Sequence, residues 1–444
     1  MSEPASTELA NEMGRPGERA EGASPLRGSR SASFFRGFVQ RVPDPNVWRI
    51  YGITLALGLA YGTAISVIGR FLTVHGVNKL AIGQLAAWFA AGIVAFSLPM
   101  GPLARRFSAK YMLAISLAGY AVAVALFPFT HTFWALAALR FFDGACSVGV
   151  WVSSESILLA RSGKENKAFV TSLYAIAVAC GYVGGPLLAY ACSKVLPLEF
   201  AFILAAVIAS ATSIYVLLRL SPDVRGTLGD EHALSSSAEQ GGALGLLWRI
   251  KTSCFGTFAY GYFQASVVLF LPLYLMEKKG VSEAQTIVIP AYFAAGMLLF
   301  SNYAGRLGDR HGHLLLMRIL GCVGMTMVLG FVYLDAYPLM CAAVFLAGAS
   351  LASISPVSLA LQGVVAHPLE YERSTSIYNA FYAAGMFLGP YCSSYLFEKR
   401  GGEAMLFSLA LLWALFVAFA FVFRQDDPAS LRITNAREPA GIKH

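Results

Sequence analysis

Hydrophobic and polar positions along this chain fall into long apolar blocks separated by short polar breaks. The blocks run near 20 residues or more, enough for each to cross roughly 30 Å of hydrocarbon as a helix. Helices are predicted at about 47–73, 81–104, 111–129, 133–160, 168–192 and 200–220. A polar stretch at 221–245, with Asp230, Glu231 and three consecutive serines, then interrupts the pattern. Six more helices are predicted at about 246–276, 283–303, 314–334, 338–365, 374–397 and 404–423. The blocks lack the apolar–polar alternation of barrel strands. Helices satisfy their own backbone hydrogen bonds, which lipid cannot do.

The two sets of blocks are copies of one unit. Gly101, Leu103 and Arg106 return as Gly305, Leu307 and Arg310, 204 residues later. Without a gap, Gly76 falls on Gly280, Phe89 and Gly92 on Phe293 and Gly296, and Gly144 on Gly348. Tyr174, Gly181, Gly185 and Pro186 fall on Tyr378, Gly385, Gly389 and Pro390. Register kept over so long a span marks an internal repeat, and it sets the fold expectation. That expectation is an all-α integral membrane protein with twelve transmembrane helices in two parallel six-helix repeats. The expected parts are an N-terminal tail (1–46), a first bundle (47–220), a linker (221–245), a second bundle (246–424) and a C-terminal tail (425–444).

Composition agrees with a membrane protein: 57% of residues are hydrophobic and only 13% charged, against about 25% charged in soluble domains. Mean hydropathy is +0.61. The net charge of +8 does not point to nucleic acid, because no basic soluble domain exists to hold it. The positive charge is topological. Arg105, Arg106, Lys110, Arg161, Lys164, Lys167, Arg219, Arg225, Arg249, Lys251, Arg306, Arg310, Arg318 and Arg373 gather on one set of loops and helix ends. Lys79, Lys194, Lys278, Lys279, Lys399 and Arg400 are all that the other set carries. Lys and Arg excess marks the cytoplasm, so both termini are expected inside, in an inner (plasma) membrane protein. The N-terminal tail has no apolar signal core, and its five Glu residues argue against a transit peptide. It is read as a disordered cytoplasmic tail. The seven cysteines lie within apolar blocks and form no Cys-x-x-Cys pair, so neither disulfides nor metal ligation is indicated. His311 and His313 fall in a loop and are expected to be solvated. No phosphate-cradling loop occurs, and no cofactor is expected.

With two parallel six-helix repeats and this loop motif, the chain resembles the major facilitator superfamily of secondary transporters over about residues 47–424. The family's loop reads Gly-x-Leu-x-Asp-Arg-x-Gly-Arg. The second half keeps Gly305, Leu307, Asp309, Arg310 and Gly312. The first half keeps Gly101 and Arg106 but has Arg105 where the acid belongs and Ser108 in place of the second glycine. In the family this loop latches one face shut. An acid there can cap a neighbouring helix N-terminus, where the dipole favours negative charge. The resemblance also implies that helices 1, 4, 7 and 10 line a central cavity.

Helix 4 carries the charges that point to chemistry. Arg140 and Gly144 resemble an Arg-x-x-x-Gly motif of proton-coupled members. Charges inside a span are costly and by default mark a pathway. Asp143, three residues on, shares a face with Arg140 and can pair with it; the plainer reading is a neutralised structural pair. Glu155 lies ~22 Å beyond Arg140 and ~60° round the helix. A carboxylate held from water can exchange protons near neutral pH, which makes Glu155 the favoured proton carrier. Its plainer reading is a helix-end carboxylate paired with Arg161. In helix 5, Gly181, Gly185 and Pro186 resemble the Gly-x-x-x-Gly-Pro motif of antiporter branches. Their recurrence in helix 11 equally fits close packing.

Candidate cavity residues are Tyr61 and Arg70 in helix 1, Trp151 in helix 4, Tyr260 and Gln264 in helix 7, Ser355 and Gln362 in helix 10, and Tyr378 in helix 11. Tyr382 is a weaker candidate to extend the same wall. Arg70 is either a gate charge or an anchor that snorkels. Aromatics among few charges suggest an amphipathic or mostly apolar solute. The sequence-level expectation is proton-coupled export of a small organic solute by alternating access, in a monomer, with no enzymatic activity. Uptake by proton symport is the alternative. A non-transporting membrane sensor on the same fold is the rival from another class.

Overall fold

The computed structural model describes residues 44–161, 167–221, 243–366 and 371–427. Most of the tails and of the linker lies outside the described residues. Among those described, twelve long helices follow one another. They are α1 (Pro45–Val74), α2 (Lys79–Phe107), α3 (Ala109–Leu126), α4 (Phe133–Ala160), α5 (Lys167–Ser193) and α6 (Glu199–Arg219). Then come α7 (Ala243–Lys279), α8 (Glu283–His311), α9 (His313–Val332), α10 (Tyr337–Val365), α11 (Tyr371–Arg400) and α12 (Gly402–Val422).

The helices start and stop where local chemistry directs. Asp44 caps α1 by accepting from the Asn46 amide at 2.8 Å, with Pro45 already holding the helical φ. Residues 45 and 46 therefore belong to α1 and not to a tail. Partial burial raises the Asp44 carboxyl, but the Asn46 amide and Arg161 outweigh it and leave Asp44 below the usual carboxylate range. Its contribution is thus intact at neutral pH and lost only as pH falls through that lowered value. Asn78 caps α2 through the Ala81 amide at 2.8 Å, and Gln285 accepts from the Ser282 amide at 3.3 Å to open α8. The tight turns before α2 and α8 use Gly76 and Gly280 at φ +77° and +61°, so one turn is built twice. The linker is shorter than the expected 221–245, because α7 begins at Ala243.

Eleven of the twelve helices are long and apolar enough to cross a membrane. The exception is α11, whose ends are charged and whose middle carries Tyr378, Asn379 and Tyr382. It is screened by neighbours, lying between α7 and α2. Side chains such as Ile115, Val122, Leu218, Leu411 and Phe421 stand exposed on the outside of the bundle, a surface suited to lipid and not to water.

In each half the first helix packs on the fifth, the second on the fourth and the third on the sixth: α1 on α5, α2 on α4, α3 on α6, then α7 on α11, α8 on α10, α9 on α12. The halves meet where α2 packs on α11 and α5 on α8. Exchanging the repeats turns one of these contacts into the other, so the interface is pseudo-symmetric. Close approach depends on missing side chains. A methyl group on Gly58 would lie 2.7 Å from the Val178 carbonyl oxygen, and one on Gly181 2.6 Å from the Leu55 carbonyl oxygen. In the second half Gly385 and Gly389 press on the Phe258 and Tyr262 backbones. Small residues at the interface replace hydrophobic drive with dispersion contact, which is what holds helices together in lipid.

Candidate functional site

Between the halves lies a cavity of about 1100 Å³, including solvent at its mouth. The wall draws on both halves: Tyr61, Phe89, Arg140, Trp151 and Tyr182 from the first, Gln264, Phe293, Met297, Tyr382 and Met386 from the second. Helices α2, α5, α8 and α11 contribute as much of this wall as α1, α4 and α7. The lining is aromatic and apolar around a single charged side chain, Arg140.

Arg140 and Asp143 form an ion pair one helical turn apart on α4, and both are buried, at 6% and 4% exposure. The Ser147 hydroxyl also donates to the Asp143 carboxylate at 3.4 Å. The guanidinium lies over the Phe89 ring, 4.3 Å from its centre, a cation–π contact with α2. Its Nε is buried without a hydrogen-bond partner. Arg140 reaches the cavity and also a small pocket behind it, while Asp143 lies only on that small pocket, lined also by Tyr61 and Tyr120. The pair thus forms a partition: the cation fronts the cavity and the anion backs it. Separating two such buried charges without replacing the lost partner costs ~3–5 kcal/mol.

Glu155 stands one turn beyond Trp151 and is exposed. Among the described residues no cation pairs with it. Arg161, its expected structural partner, instead meets Asp44 at 3.2 Å.

The remaining candidates divide. Tyr61, Trp151 and Gln264 line the cavity. Gln264 is held by the Tyr382 hydroxyl, which donates to its Oε1 at 3.0 Å. Tyr260 stands behind the wall, stacked on Tyr382 at 6.0 Å and donating to Met297 Sδ at 3.7 Å. Tyr378 donates to the Ser355 carbonyl oxygen at 2.9 Å and lies 2.8 Å from the Ser358 hydroxyl. Gln362 donates to Ser374 at 2.6 Å and Thr375 at 3.2 Å. Ser355, Gln362 and Tyr378 thus tie α10 to α11 and do not reach the cavity wall, because each finds a partner on the neighbouring helix.

Arg70 is also away from the wall. It pairs with Glu283 of the second half, at the end of α1 opposite Asp44. Lys79 and Glu277 form a second bridge between the halves there, at 2.9 Å. A methyl on Gly69 would lie 2.9 Å from the Leu269 carbonyl oxygen, so α1 and α7 also touch at this level. The cavity is closed at this end by charge and by packing.

At the opposite end sit the two loop motifs. Asp309, exposed, pairs with His313 Nε2 at 3.1 Å within its own loop, and Arg310 is exposed. His313, expected to be solvated, is buried against that loop, while His311 is exposed. Around Gly305 a methyl group would meet open space. In the first copy Arg106 lies over the Phe107 ring at 5.5 Å. The side chains at Gly101 and Arg105 lie outside the described part. Ser108 takes φ +73° and ψ 132°, nearly the geometry of Gly312 at φ +97° and ψ 132°. The first half thus forces a serine into a glycine conformation. Gly185 and Pro186 sit where α5 meets α1: the Thr63 hydroxyl donates to the Gly185 carbonyl at 3.1 Å, and Pro186 reaches the cavity.

Tyr182, Phe89, Met297 and Met386 were missed in the cavity, and Lys79, Glu277 and Glu283 in the closure. Tyr182 lies inside the quoted Gly181–Pro186 motif, and an aromatic between cavity-flanking glycines was the available signal.

The comparisons fit this architecture. A sequence profile of the Major Facilitator Superfamily matches residues 50–252 and again 253–444. The chain is 24% identical over 374 residues to the uncharacterized MFS-type transporter YcaD of Escherichia coli O139:H28, covering 83% of this chain and 91% of the relative. A bacterial homologue of the human lysosomal transporter Spinster, in an inward-facing and occupied conformation, superposes with a TM-score of 0.73 at 11% identity, over 88% of this chain and 97% of that one. The nucleoside transporter NupG superposes with a TM-score of 0.71 at 13% identity, over 86% and 99%. The identities to these structures speak for the fold alone; the profile, matching both repeats, speaks for the family. This multi-pass membrane protein belongs to the major facilitator superfamily and is a transporter, not an enzyme.

Proposed function

We propose that the protein is a proton-coupled secondary transporter that moves a small, largely apolar organic solute by alternating access. The observation that carries this reading is the Arg140–Asp143 partition. It is a buried ion pair at the wall of the cavity between the halves, with the cation on the cavity side. A carboxylate so placed can release its guanidinium partner when it takes up a proton, and the cavity wall then changes charge. Rocking of the two halves about a midplane site is the movement expected of parallel repeats. The bridges Arg70–Glu283 and Lys79–Glu277 act as the gate on the far side, and they have to part when the cavity opens there.

The proton carrier in this reading is Asp143, ahead of Glu155, because Asp143 is buried and paired while Glu155 is exposed. Lys and Arg placement supports both termini in the cytoplasm and an inner (plasma) membrane location. A monomer is sufficient, since the cavity is complete within one chain. The Gly181–Pro186 motif gives export little weight: Gly58 and Gly181 are in backbone contact, and packing accounts for the motif in both repeats.

The test compares Asp143→Asn and Glu155→Gln in proteoliposomes under an imposed pH step. Asp143→Asn is expected to exchange solute downhill but not to accumulate it, and Glu155→Gln to do both. Accumulation by Asp143→Asn with an unchanged pH dependence would overturn the assignment.

A further inference from the structure

The described cavity wall carries one charged side chain, Arg140, and no carboxylate. Its counter-ion stands behind it, in another pocket. The Arg140 Nε has no partner and is buried. Gln264 has its oxygen occupied by the Tyr382 hydroxyl, so what it offers the cavity is amide N–H. The one cationic ring contact in the wall, at Phe89, is already taken by Arg140 itself. The wall therefore offers the N–H groups of Arg140 and Gln264 with no carboxylate to meet them, set among the aromatic faces of Tyr61, Trp151, Tyr182 and Tyr382.

From this we infer that the solute is a monoanionic aromatic or amphipathic organic acid, and that it travels with one proton in the same direction. The acid's carboxylate replaces Asp143 as the partner of Arg140, and the proton goes onto Asp143. The inference rests on the proton-coupled reading above and adds the solute class, the stoichiometry and the sense of coupling.

Charge balance sets the coupling. Arg140 with ionised Asp143 is neutral. Anion alone makes the site negative by one charge, and a proton alone makes it positive by one. Anion and proton together restore neutrality. A net charge held in a low-dielectric interior is strongly disfavoured, so the halves close over the site either empty or doubly loaded. Proton and anion assist each other's binding, and by linkage the assistance is mutual. A solute that displaced the proton would be exchanged against it; a solute that binds with the proton is cotransported. Symport thus replaces the export expected from the α5 motif. The only covalent change is the O–H bond formed on Asp143 and later broken. The other titratable groups near the pair are Tyr61 of α1, Tyr120 of α3, Tyr182 of α5 and Cys146 of α4, while α2 presents Phe89. These phenols and this thiol are ordinarily neutral at physiological pH, which leaves Asp143 as the carboxylate that can compensate an incoming anion.

The test uses the purified full-length protein and titrates it with phenylacetate, indole-3-acetate and 1-naphthoate. Indole-3-acetamide and tryptamine serve as the uncharged and cationic analogues. Calorimetry in two buffers of different ionisation enthalpy gives the protons bound per solute. The acids are expected to bind with uptake of about one proton, and affinity should fall roughly tenfold per pH unit through the alkaline range. Asp143→Asn should bind the same acids with no proton uptake and no pH dependence. Arg140→Gln should lose at least about tenfold in affinity. The inference is overturned by proton release on binding, by amide or amine binding as tightly as the acid, or by affinity that survives Arg140→Gln. It is equally overturned if Asp143→Asn binds none of the acids, because that variant holds the site in the charge state built for them. Solute-driven proton movement by tryptamine or the amide in vesicles would sink the organic-acid inference and leave proton-coupled transport standing. If neither the acids nor these analogues move protons in vesicles, both readings fall.

Discussion

The crossing of α2 with α4 and the crossing of α8 with α10 are two copies of one joint. Gly92 faces the Phe141 carbonyl and Gly144 the Phe89 carbonyl; Gly296 faces the Phe345 carbonyl and Gly348 the Phe293 carbonyl. The joints are alike in backbone and differ in charge. Where the first half has Arg140, Asp143 and Glu155, the second has Val344, Ala347 and Leu359 at the same 204-residue spacing. What the repeat conserves is contact that lets helices approach. What it does not conserve is the buried ion pair at the cavity wall. Internal comparison therefore separates scaffold from chemistry without any second protein.

The comparison is broken most severely at the glycines. Gly144→Leu and Gly348→Leu should each cost about 3 kcal/mol or more, since the added atoms meet backbone and not a movable side chain. Thermal unfolding of the purified variants should show losses of similar size in the two halves. A variant at one joint that unfolds like the parent would show that the joints are not equivalent.

The gate is a smaller effect. Glu283 is 55% exposed, so its bridge to Arg70 is well screened, and exposed pairs contribute ~0.2–1 kcal/mol. Glu283→Gln should raise the labelling rate of a cysteine placed at Leu72 by about twofold to fivefold. Arg70→Glu combined with Glu283→Arg should restore the parent rate. Unchanged labelling in the single variant would remove the bridge from the gate.

The smallest effect lies in the loop where the halves depart from one another. Ser108→Gly should relieve about 1 kcal/mol of backbone strain and raise the melting temperature by ~1–3 °C. The reverse change, Gly312→Ser, should lower it by a similar amount. A loss of stability in Ser108→Gly would mean that the serine side chain holds the loop more strongly than the backbone resists it.

Much of this was legible in the sequence. Block length gave the helices, and the unbroken repeat gave the two bundles, while the contacts between them came only with the structure. The pairing of Arg140 with Asp143 followed from spacing on one helix. The cavity was only half legible. Spacing tells which face of a helix a polar residue occupies, but not whether a neighbour satisfies it there. Tyr378 and Gln362 were expected in the cavity and are spent on α10–α11 hydrogen bonds. Tyr182 and Met386 reach the wall because α5 and α11 pack against α8 and α2 of the opposite half, which no local pattern records. Glu283 and Glu277 sit at helix ends that read as ordinary loop charges, and their partners lie across the interface.

The most direct test of the account asks whether the unrepeated carboxylate alone carries the coupling. Proteoliposomes with a trapped pH dye would hold the parent, Asp143→Asn, or Asp143→Asn combined with Ala347→Asp, and receive indole-3-acetate outside. The account predicts acidification of the lumen by the parent, none by Asp143→Asn, and no rescue when the carboxylate is moved to the matching position of the second repeat. Acidification of equal size by Asp143→Asn, or full rescue by Ala347→Asp, would contradict it.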